Sequence, residues 1–170
     1  NYTVEIDGQK TIFADYIFIN TGSKSVIPSI QGIQEAKHIY TSATIMKETT
    51  LPKNLAIIGG GYIGLELASM YARYGSQVTV FELNERLVGR EDEDVALEIQ
   101  HILENQGVQF KFKSRVQEVS NQNEKAVIHY SQDETRYIDR FDAILLATGR
   151  SANTADLGLE NTGVQMNERG

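Results

Sequence analysis

The sequence predicts an α/β fold in which a doubly wound parallel sheet is joined to an antiparallel β-meander. Between residues 55 and 112, short apolar segments alternate with longer amphipathic ones in the order strand, helix, strand, helix, strand. Between residues 116 and 138, short strand-like segments follow one another with polar turns between them, a pattern typical of a meander. A final apolar run at residues 143–147 indicates one more buried strand.

The first elements lie ahead of this alternation. Residues 2–13 alternate between apolar and polar side chains around an Asp-Gly turn, which predicts a β-hairpin. The apolar run Tyr16–Ile19 predicts a strand, and the Pro- and Gly-containing stretch 23–36 predicts a connecting loop. Residues 41–46 predict a short helix.

The middle of the chain carries the clearest pattern. The predicted strands and helices there are strands at 55–58, 78–81 and 108–112 and helices at 62–74 and 92–105. Because crossovers between parallel strands are right-handed, we expect both helices on one face of the sheet. The predicted meander strands are 116–119, 126–130 and 135–138, with a polar turn at 120–123.

The segment Gly59–Gly64 reads G-G-G-Y-I-G and satisfies the pattern G-x-G-x-x-G. It follows a predicted buried strand and opens a predicted helix, which is the context of a Rossmann-like dinucleotide site. Gly59 permits the tight turn, Gly61 leaves room for a pyrophosphate, and Gly64 lets the helix approach the sheet. The helix N-terminus then offers N–H groups and a positive dipole end to phosphates.

Glu82 follows Gly64 by 18 residues and ends the second predicted strand. A carboxylate there can accept hydrogen bonds from both ribose hydroxyls and would repel a 2′-phosphate, which favours NAD over NADP. Two alternatives stay open at this point. The glycine segment could be a tight turn with Glu82 as a solvated strand end, or it could hold FAD or another nucleoside cofactor.

Composition excludes several classes of function. The chain has 170 residues and a formal charge of −7, without the basic stripe that nucleic-acid binding requires. It has no cysteine, which excludes a disulfide or a thiol nucleophile within it, and His38, His101 and His129 share no metal-ligand spacing. The apolar stretch 55–71 is too short and interrupted to span a membrane, so we expect a cytoplasmic protein.

The extended motif resembles the class I flavin-dependent pyridine nucleotide–disulfide oxidoreductases, which include dihydrolipoamide dehydrogenase, glutathione reductase and mercuric reductase. The matching stretches are Leu51-Pro52-Lys53, the segment from Gly59 to Glu66, Ala147-Thr148-Gly149-Arg150 and Thr21-Gly22-Ser23. The resemblance implies an NAD-binding domain at 37–149 inserted into an FAD-binding domain, of which 1–36 and 150–170 are remnants. It also implies a homodimeric parent whose redox cysteines and His–Glu pair lie outside this chain.

The resemblance implies roles for single residues as well. Tyr62 matches the ring that covers the flavin until nicotinamide displaces it, and Glu66 matches the acid that reaches toward the nicotinamide carboxamide. Val116 matches a residue whose backbone contacts adenine, and Gly149 matches the glycine that lets the nicotinamide end approach the last strand. From the residues alone, Tyr62 could pack on the sheet and Glu66 could complement the helix dipole. The family usually has a proline two residues after Arg150, and this chain has Ala152 there.

The sequence therefore predicts an NAD(H)-binding segment that positions NADH for hydride transfer to FAD in a longer flavoenzyme. We expect it to be inactive by itself, with Gly59, Gly61, Tyr62, Ile63, Gly64, Glu66, Glu82, Val116 and Gly149 as cofactor-binding residues and no metal. The alternative is a stand-alone, non-catalytic nucleotide-binding or redox-sensing module. The terminal substrate cannot be read from these residues.

Overall fold

The computed structural model describes residues 2–168 and 170, so Asn1 and Arg169, in the first and last predicted segments, lie outside the described residues. The strands are β1 Tyr2–Ile6, β2 Lys10–Ala14, β3 Ser23–Ser25, β4 Ile39–Thr41, β5 Asn54–Ile58, β6 Gln77–Phe81, β7 Gln109–Lys111, β8 Ser114–Gln122, β9 Lys125–Gln132, β10 Thr135–Phe141, β11 Ala143–Leu146 and β12 Arg150–Ala152. The helices are α1 Ser42–Ile45, α2 Tyr62–Arg73 and α3 Glu93–Asn105, with a short 3-10 helix at Leu159–Asn161. The predicted mixed α/β class is confirmed.

A five-stranded parallel sheet in the order β4-β11-β5-β6-β7 forms the centre of the chain. Its strands β5, β6 and β11 are apolar runs that are buried almost throughout, as expected for parallel strands covered on both faces. Helices α2 and α3 pack into the same apolar cluster on one face, as the right-handed crossovers predicted. Their buried contributors are Leu65, Ala68 and Tyr71 of α2 and Ala96 and Leu103 of α3.

An antiparallel meander of β8, β9 and β10 covers the other face of the parallel sheet. Its inward residues pack against Phe81 of β6, whose ring lies edge-on to Tyr130 at 5.0 Å and to Phe141 at 5.9 Å. Such edge-to-face pairs add to the stabilisation from burial alone. The two faces of the sheet are therefore covered by different kinds of structure, helices on one and a second sheet on the other.

The turns of the meander differ from the prediction in position. We predicted a turn at 120–123, but residues 120–122 belong to β8, and the turn residues are Asn123 and Glu124. Both have positive φ, 50° and 60°, which is the geometry of a type I′ turn that matches the twist of a two-residue hairpin. Polar side chains on the exposed strand end resemble turn residues in sequence, which explains the error.

The chain divides into two compact units, residues 1–24 with 151–170 and residues 25–150. The predicted hairpin of the first unit is present as β1 and β2. The predicted strand Tyr16–Ile19 is wrong, because these residues form no strand, and Tyr16 and Phe18 are 83% and 90% exposed. A strand requires a hydrogen-bonded neighbour, and no described strand pairs with this run.

The beginning and end of the second unit lie next to each other. The Val26 N–H donates to the Gly149 carbonyl at 3.0 Å, and the Thr148 hydroxyl donates to the Val26 carbonyl at 3.2 Å. This unit therefore starts and finishes at one place, beside the end of β11. The assignment of the predicted ranges 1–36, 37–149 and 150–170 to coenzyme domains stays a prediction.

Candidate functional site

The turn between β5 and α2 is shaped by backbone contacts that only glycine allows. Gly59 has φ +112° and donates its N–H to the Phe81 carbonyl at 2.9 Å. A Cβ on Gly59 would lie 2.5 Å from the Ala147 carbonyl oxygen, inside contact distance. A larger residue at position 59 would therefore need a disfavoured backbone angle and displace the end of β11 at the same time.

Gly61 and Gly64 differ in what surrounds them. A Cβ on Gly64 would collide with the Gly59 carbonyl oxygen and lie 3.3 Å from the Ala147 Cβ, so α2 sits tightly against the sheet. At Gly61, by contrast, a Cβ would have no described atom within 4 Å of it. The turn is thus closely packed on its inner side and open at Gly61, which leaves backbone accessible to a ligand.

The first turn of α2 has no side-chain cap. Gly61 is the N-cap residue, and no acidic residue lies in the first turn. The first intrahelical bond runs from the Leu65 N–H to the Gly61 carbonyl, so the preceding N–H groups of Tyr62, Ile63 and Gly64 have no acceptor within the helix. Glu66 is exposed and lies beyond the first turn, so a first-turn dipole role for it is wrong.

Glu82 lies at the end of β6 with only 9% of its surface exposed. One carboxylate oxygen accepts the Gly60 N–H at 2.7 Å, and the other accepts the Asn84 N–H at 2.8 Å and the Asn84 side-chain amide at 2.7 Å. These donors fix the carboxylate beside the glycine turn. Two carboxylate oxygens offer about four acceptor sites, and three are occupied, so one remains, on the oxygen that accepts the Gly60 N–H, for a ligand hydroxyl.

Asn84 was not predicted as part of the site. Its role depends on a side chain folding back two residues along the loop, and no spacing in the sequence signals that contact. The Asn84 carbonyl also accepts the Lys113 N–H at 3.0 Å, which attaches this loop to the chain after β7. Asn84 therefore links the position of Glu82 to the edge of the parallel sheet.

The segment Leu87–Glu91, which we call the strap, is bonded to the glycine turn. The Val88 N–H donates to the Gly60 carbonyl at 3.0 Å, and the Glu91 N–H donates to the Val88 carbonyl at 2.8 Å. The Tyr62 hydroxyl donates to the Glu91 carboxylate. This hydrogen bond raises the pKa of the Tyr62 phenol, first by holding its proton and further by the nearby negative charge.

The remaining predicted residues lie around the same edge of the sheet. The Ser114 N–H donates to the Glu82 carbonyl at 2.9 Å, so the start of β8, two residues before Val116, lies beside the end of β6. Val116 is half-buried against the meander core. Gly149 has φ +135° and no described atom within 4 Å of a Cβ position, so the end of β11 is also open.

The described residues offer neither a metal-binding cluster nor a membrane-spanning helix. Among residues 2–168 and 170, no group of three or more potential metal ligands of the His, Cys, Asp and Glu types lies close enough together to hold an ion. None of the helices described above has the length and apolar character needed to cross a membrane.

The family model described as "Pyridine nucleotide-disulphide oxidoreductase" matches residues 1–170. The chain belongs to this family. The resemblance inferred from the glycine segment and the Ala-Thr-Gly-Arg stretch is thereby confirmed at the level of the family.

Relatives within the family share a large part of the sequence. The chain is 40% identical over 164 residues to the "Probable pyridine nucleotide-disulfide oxidoreductase RclA" of Escherichia coli, covering 96% of this chain and 36% of that protein. It is 35% identical over 163 residues to a mercuric reductase of Streptomyces lividans, covering 96% of this chain and 34% of that protein. The chain thus spans about a third of the length of these relatives.

Solved structures of the family resemble this fold. The HOCl-induced flavoprotein disulfide reductase RclA of Escherichia coli matches with a TM-score of 0.88 and 38% identity, covering 99% of this chain and 38% of that one. A water-forming NADH oxidase of Lactobacillus brevis, solved with NADH bound, matches with a TM-score of 0.77 and 26% identity, covering 95% of this chain and 36% of that one. Both are oxidoreductases of much greater length.

Proposed function

We propose that this chain holds NAD(H) against the glycine turn and presents its nicotinamide to the flavin of a longer oxidoreductase. One observation carries the proposal: at Gly61, backbone beside an uncapped helix start is open to a ligand, while the Glu82 carboxylate is fixed next to it. The two features suit the two polar parts of the adenosine half of a dinucleotide, its diphosphate and its ribose.

The helix start supplies the diphosphate site. The N–H groups of Tyr62, Ile63 and Gly64 have no acceptor within α2, and the missing Cβ of Gly61 lets phosphate oxygens come close to them. The positive end of the helix dipole adds to this attraction. In this way a chain with a net charge of −7 can bind an anion through backbone N–H groups, with Arg90 of the strap as a positive charge near Tyr62.

Glu82 selects the coenzyme in this proposal. Its carboxylate accepts hydrogen bonds from the adenosine ribose hydroxyls, and its negative charge repels the 2′-phosphate of NADP. Gly60 and Asn84 already orient the carboxylate, so one ribose hydroxyl can bind as it stands, and the second takes the place of one of the two Asn84 hydrogen bonds.

The nicotinamide half then extends toward the end of β11. We place it near Gly149, whose open α-carbon permits close approach, with Tyr62 and Glu66 on the α2 side and the Val116 backbone near adenine. Bound NADH supplies a hydride that FAD accepts. The residues of this chain bind and orient the dinucleotide, and the absence of cysteine means that any disulfide chemistry belongs to other parts of the parent.

Other properties follow from the family and are part of the proposal. We propose that residues 37–149 are the NAD-binding domain, and that 1–36 and 150–170 belong to the FAD-binding domain of the parent. The parent is proposed to be a cytoplasmic homodimer, acting without nucleic acid or membrane partners.

Isothermal titration of the chain with NADH and NADPH tests the proposal. We expect NADH to bind at least about tenfold more tightly, because the buried charge of Glu82 opposes a 2′-phosphate. Replacing Glu82→Ala should remove that preference, whereas the matched control Glu85→Ala, an exposed acid in the same loop, should keep it. Equal affinities in the unaltered chain, or purification of a yellow flavin-bound chain, would contradict the assignment.

A further inference from the structure

The hydrogen bond between Tyr62 and Glu91 lies directly beside the open part of the glycine turn. Tyr62 follows Gly61 in sequence, and its side chain is 58% exposed, so packing restricts the ring only in part. The hydroxyl–carboxylate bond therefore contributes much of what fixes the ring's position. It also joins the first residue of α2 to the last residue of the strap.

The strap is itself firmly attached. Leu87 is 1% exposed and lies so close to the turn that a Cβ on Gly60 would be 2.8 Å from its side chain. Val88 has φ +38°, a conformation that β-branched residues rarely adopt, and it persists here with its N–H bonded to the Gly60 carbonyl. Glu91 is thus held near the turn by the backbone, and Tyr62 is held by Glu91.

A ligand of dinucleotide length has to pass this hydrogen bond. In the proposed binding mode, the phosphate nearest to adenosine lies on Gly61, and the nicotinamide half runs past the next residue, Tyr62, toward Gly149. There it meets the phenol that Glu91 holds and the Glu91 carboxylate, which repels phosphate oxygens, while Arg90 places a positive charge near the same phenol. A mononucleotide, which ends at its first phosphate, does not extend that far.

We propose that Glu91 is a positioning residue that sets specificity by holding Tyr62 in the path of the second half of the dinucleotide. This inference rests on the proposed function, because it assumes that the glycine turn binds a dinucleotide. Binding NADH then requires the Tyr62–Glu91 bond to break, whereas binding 5′-AMP leaves the bond intact. The pair therefore lowers the affinity for the complete coenzyme without changing the affinity for its adenosine end.

The test is a double-mutant cycle in the complete chain, with NADH and 5′-AMP titrated separately. We expect Glu91→Ala and Tyr62→Phe each to bind NADH about fivefold more tightly, because one hydrogen bond no longer has to be broken. The double variant should show no further gain, since both substitutions remove the same bond. Affinity for 5′-AMP should stay within about twofold in every variant.

Two additional measurements separate this role from a structural one. Glu91→Gln keeps an acceptor for the phenol and should give a smaller gain than Glu91→Ala, while the control Glu93→Ala, an exposed acid two residues away, should give none. An ultraviolet pH titration should show one phenol ionising at lower pH in Glu91→Ala, because the carboxylate that raises its pKa is gone.

Unchanged or weaker NADH binding in Glu91→Ala or Tyr62→Phe would overturn the inference, provided that the unaltered chain binds both ligands. Equal gains for NADH and 5′-AMP would overturn it as well, since they would indicate a general charge effect. If neither ligand binds to the unaltered chain, the proposed function fails first and this inference fails with it. The outcomes of the two hypotheses can therefore be told apart.

Discussion

Helices α2 and α3 each follow a strand of the same parallel sheet, yet their N-termini are built in opposite ways. Helix α2 begins after Gly61, with no side chain at its N-cap and no acid in its first turn. Helix α3 has Asp92 at its N-cap, whose side chain makes no capping hydrogen bond, and carries Glu93 and Asp94 in its first turn. The Asp94 carboxylate accepts the Val95 N–H at 2.9 Å.

The difference shows that a helix N-terminus can either be stabilised by acids of the chain or be left to bind an anion. The acids of α3 complement its dipole from within the chain, which favours helix stability. Helix α2 forgoes that stabilisation and leaves its positive end to an external anion. A helix start that has open backbone and no acid in its first turn is therefore a stronger sign of a phosphate site than the glycine pattern alone.

Placing aspartate at the N-cap position of α2, where α3 has Asp92, should produce the largest effect. We expect Gly61→Asp to lower NADH affinity by about 100-fold or more, because a carboxylate would occupy the phosphate position and repel the ligand. The unfolding free energy should not fall, since aspartate is a favoured N-cap residue. Calorimetry with NADH and denaturant unfolding measure the two quantities.

The matched control for this substitution is Gly163→Asp. Gly163 also has open space around its Cβ position and is remote in sequence from the glycine turn. It should keep the NADH affinity of the unaltered chain. Tight NADH binding by Gly61→Asp would mean that the helix start is not the phosphate site, and the comparison between the two helices would lose its functional meaning.

The third residue of each helix provides the next comparison. Gly64 of α2 is pressed against the Gly59 carbonyl, whereas Val95 of α3 is 44% exposed. We expect Gly64→Ala to reduce the unfolding free energy by about 1–3 kcal/mol, through overpacking against rigid backbone. Val95→Ala should change it by about 0.5 kcal/mol or less. Similar losses in both variants, measured by urea unfolding, would show that α2 is not held unusually close.

The smallest effect is expected at the acids of α3. The double substitution Glu93→Gln with Asp94→Asn should lower the unfolding free energy by about 0.5 kcal/mol, because the dipole loses its complementary charges. NADH affinity should be unchanged. High salt should reduce the difference in stability, since exposed charges are screened. A loss of NADH affinity in this variant would instead assign α3 a part in coenzyme binding.

The sequence predicted four of the five strands of the parallel sheet, its two long helices and the position of the glycine turn, because each follows from local periodicity and backbone requirements, but it missed the short edge strand β4. It failed at Tyr16–Ile19, where an apolar run predicts a strand only if a neighbouring strand is available to pair with it. It also misplaced the first meander turn, since polar residues at an exposed strand end look like turn residues.

Two contacts of the candidate site could not be predicted for a different reason. Asn84 contacts Glu82 through a side chain that folds back two residues, and Glu91 contacts Tyr62 across 29 residues, and neither contact has a sequence pattern that signals it. In the sequence, Glu91 is the first of four consecutive acidic residues, and such a run before a helix is explained by helix N-capping. In the structure it lies outside α3 and serves Tyr62 instead. Loop contacts of this kind depend on how the strap folds over the turn.

The contact between Val26 and Gly149 brings the two ends of the unit 25–150 together, which affects how this unit can be inserted into another protein. Because its two ends are adjacent, the unit can be inserted into a surface loop of another protein without separating the two residues that flank the insertion. The same closeness would allow its natural ends to be joined by a short linker and new ones to be opened elsewhere, for example at the Asn123–Glu124 hairpin tip.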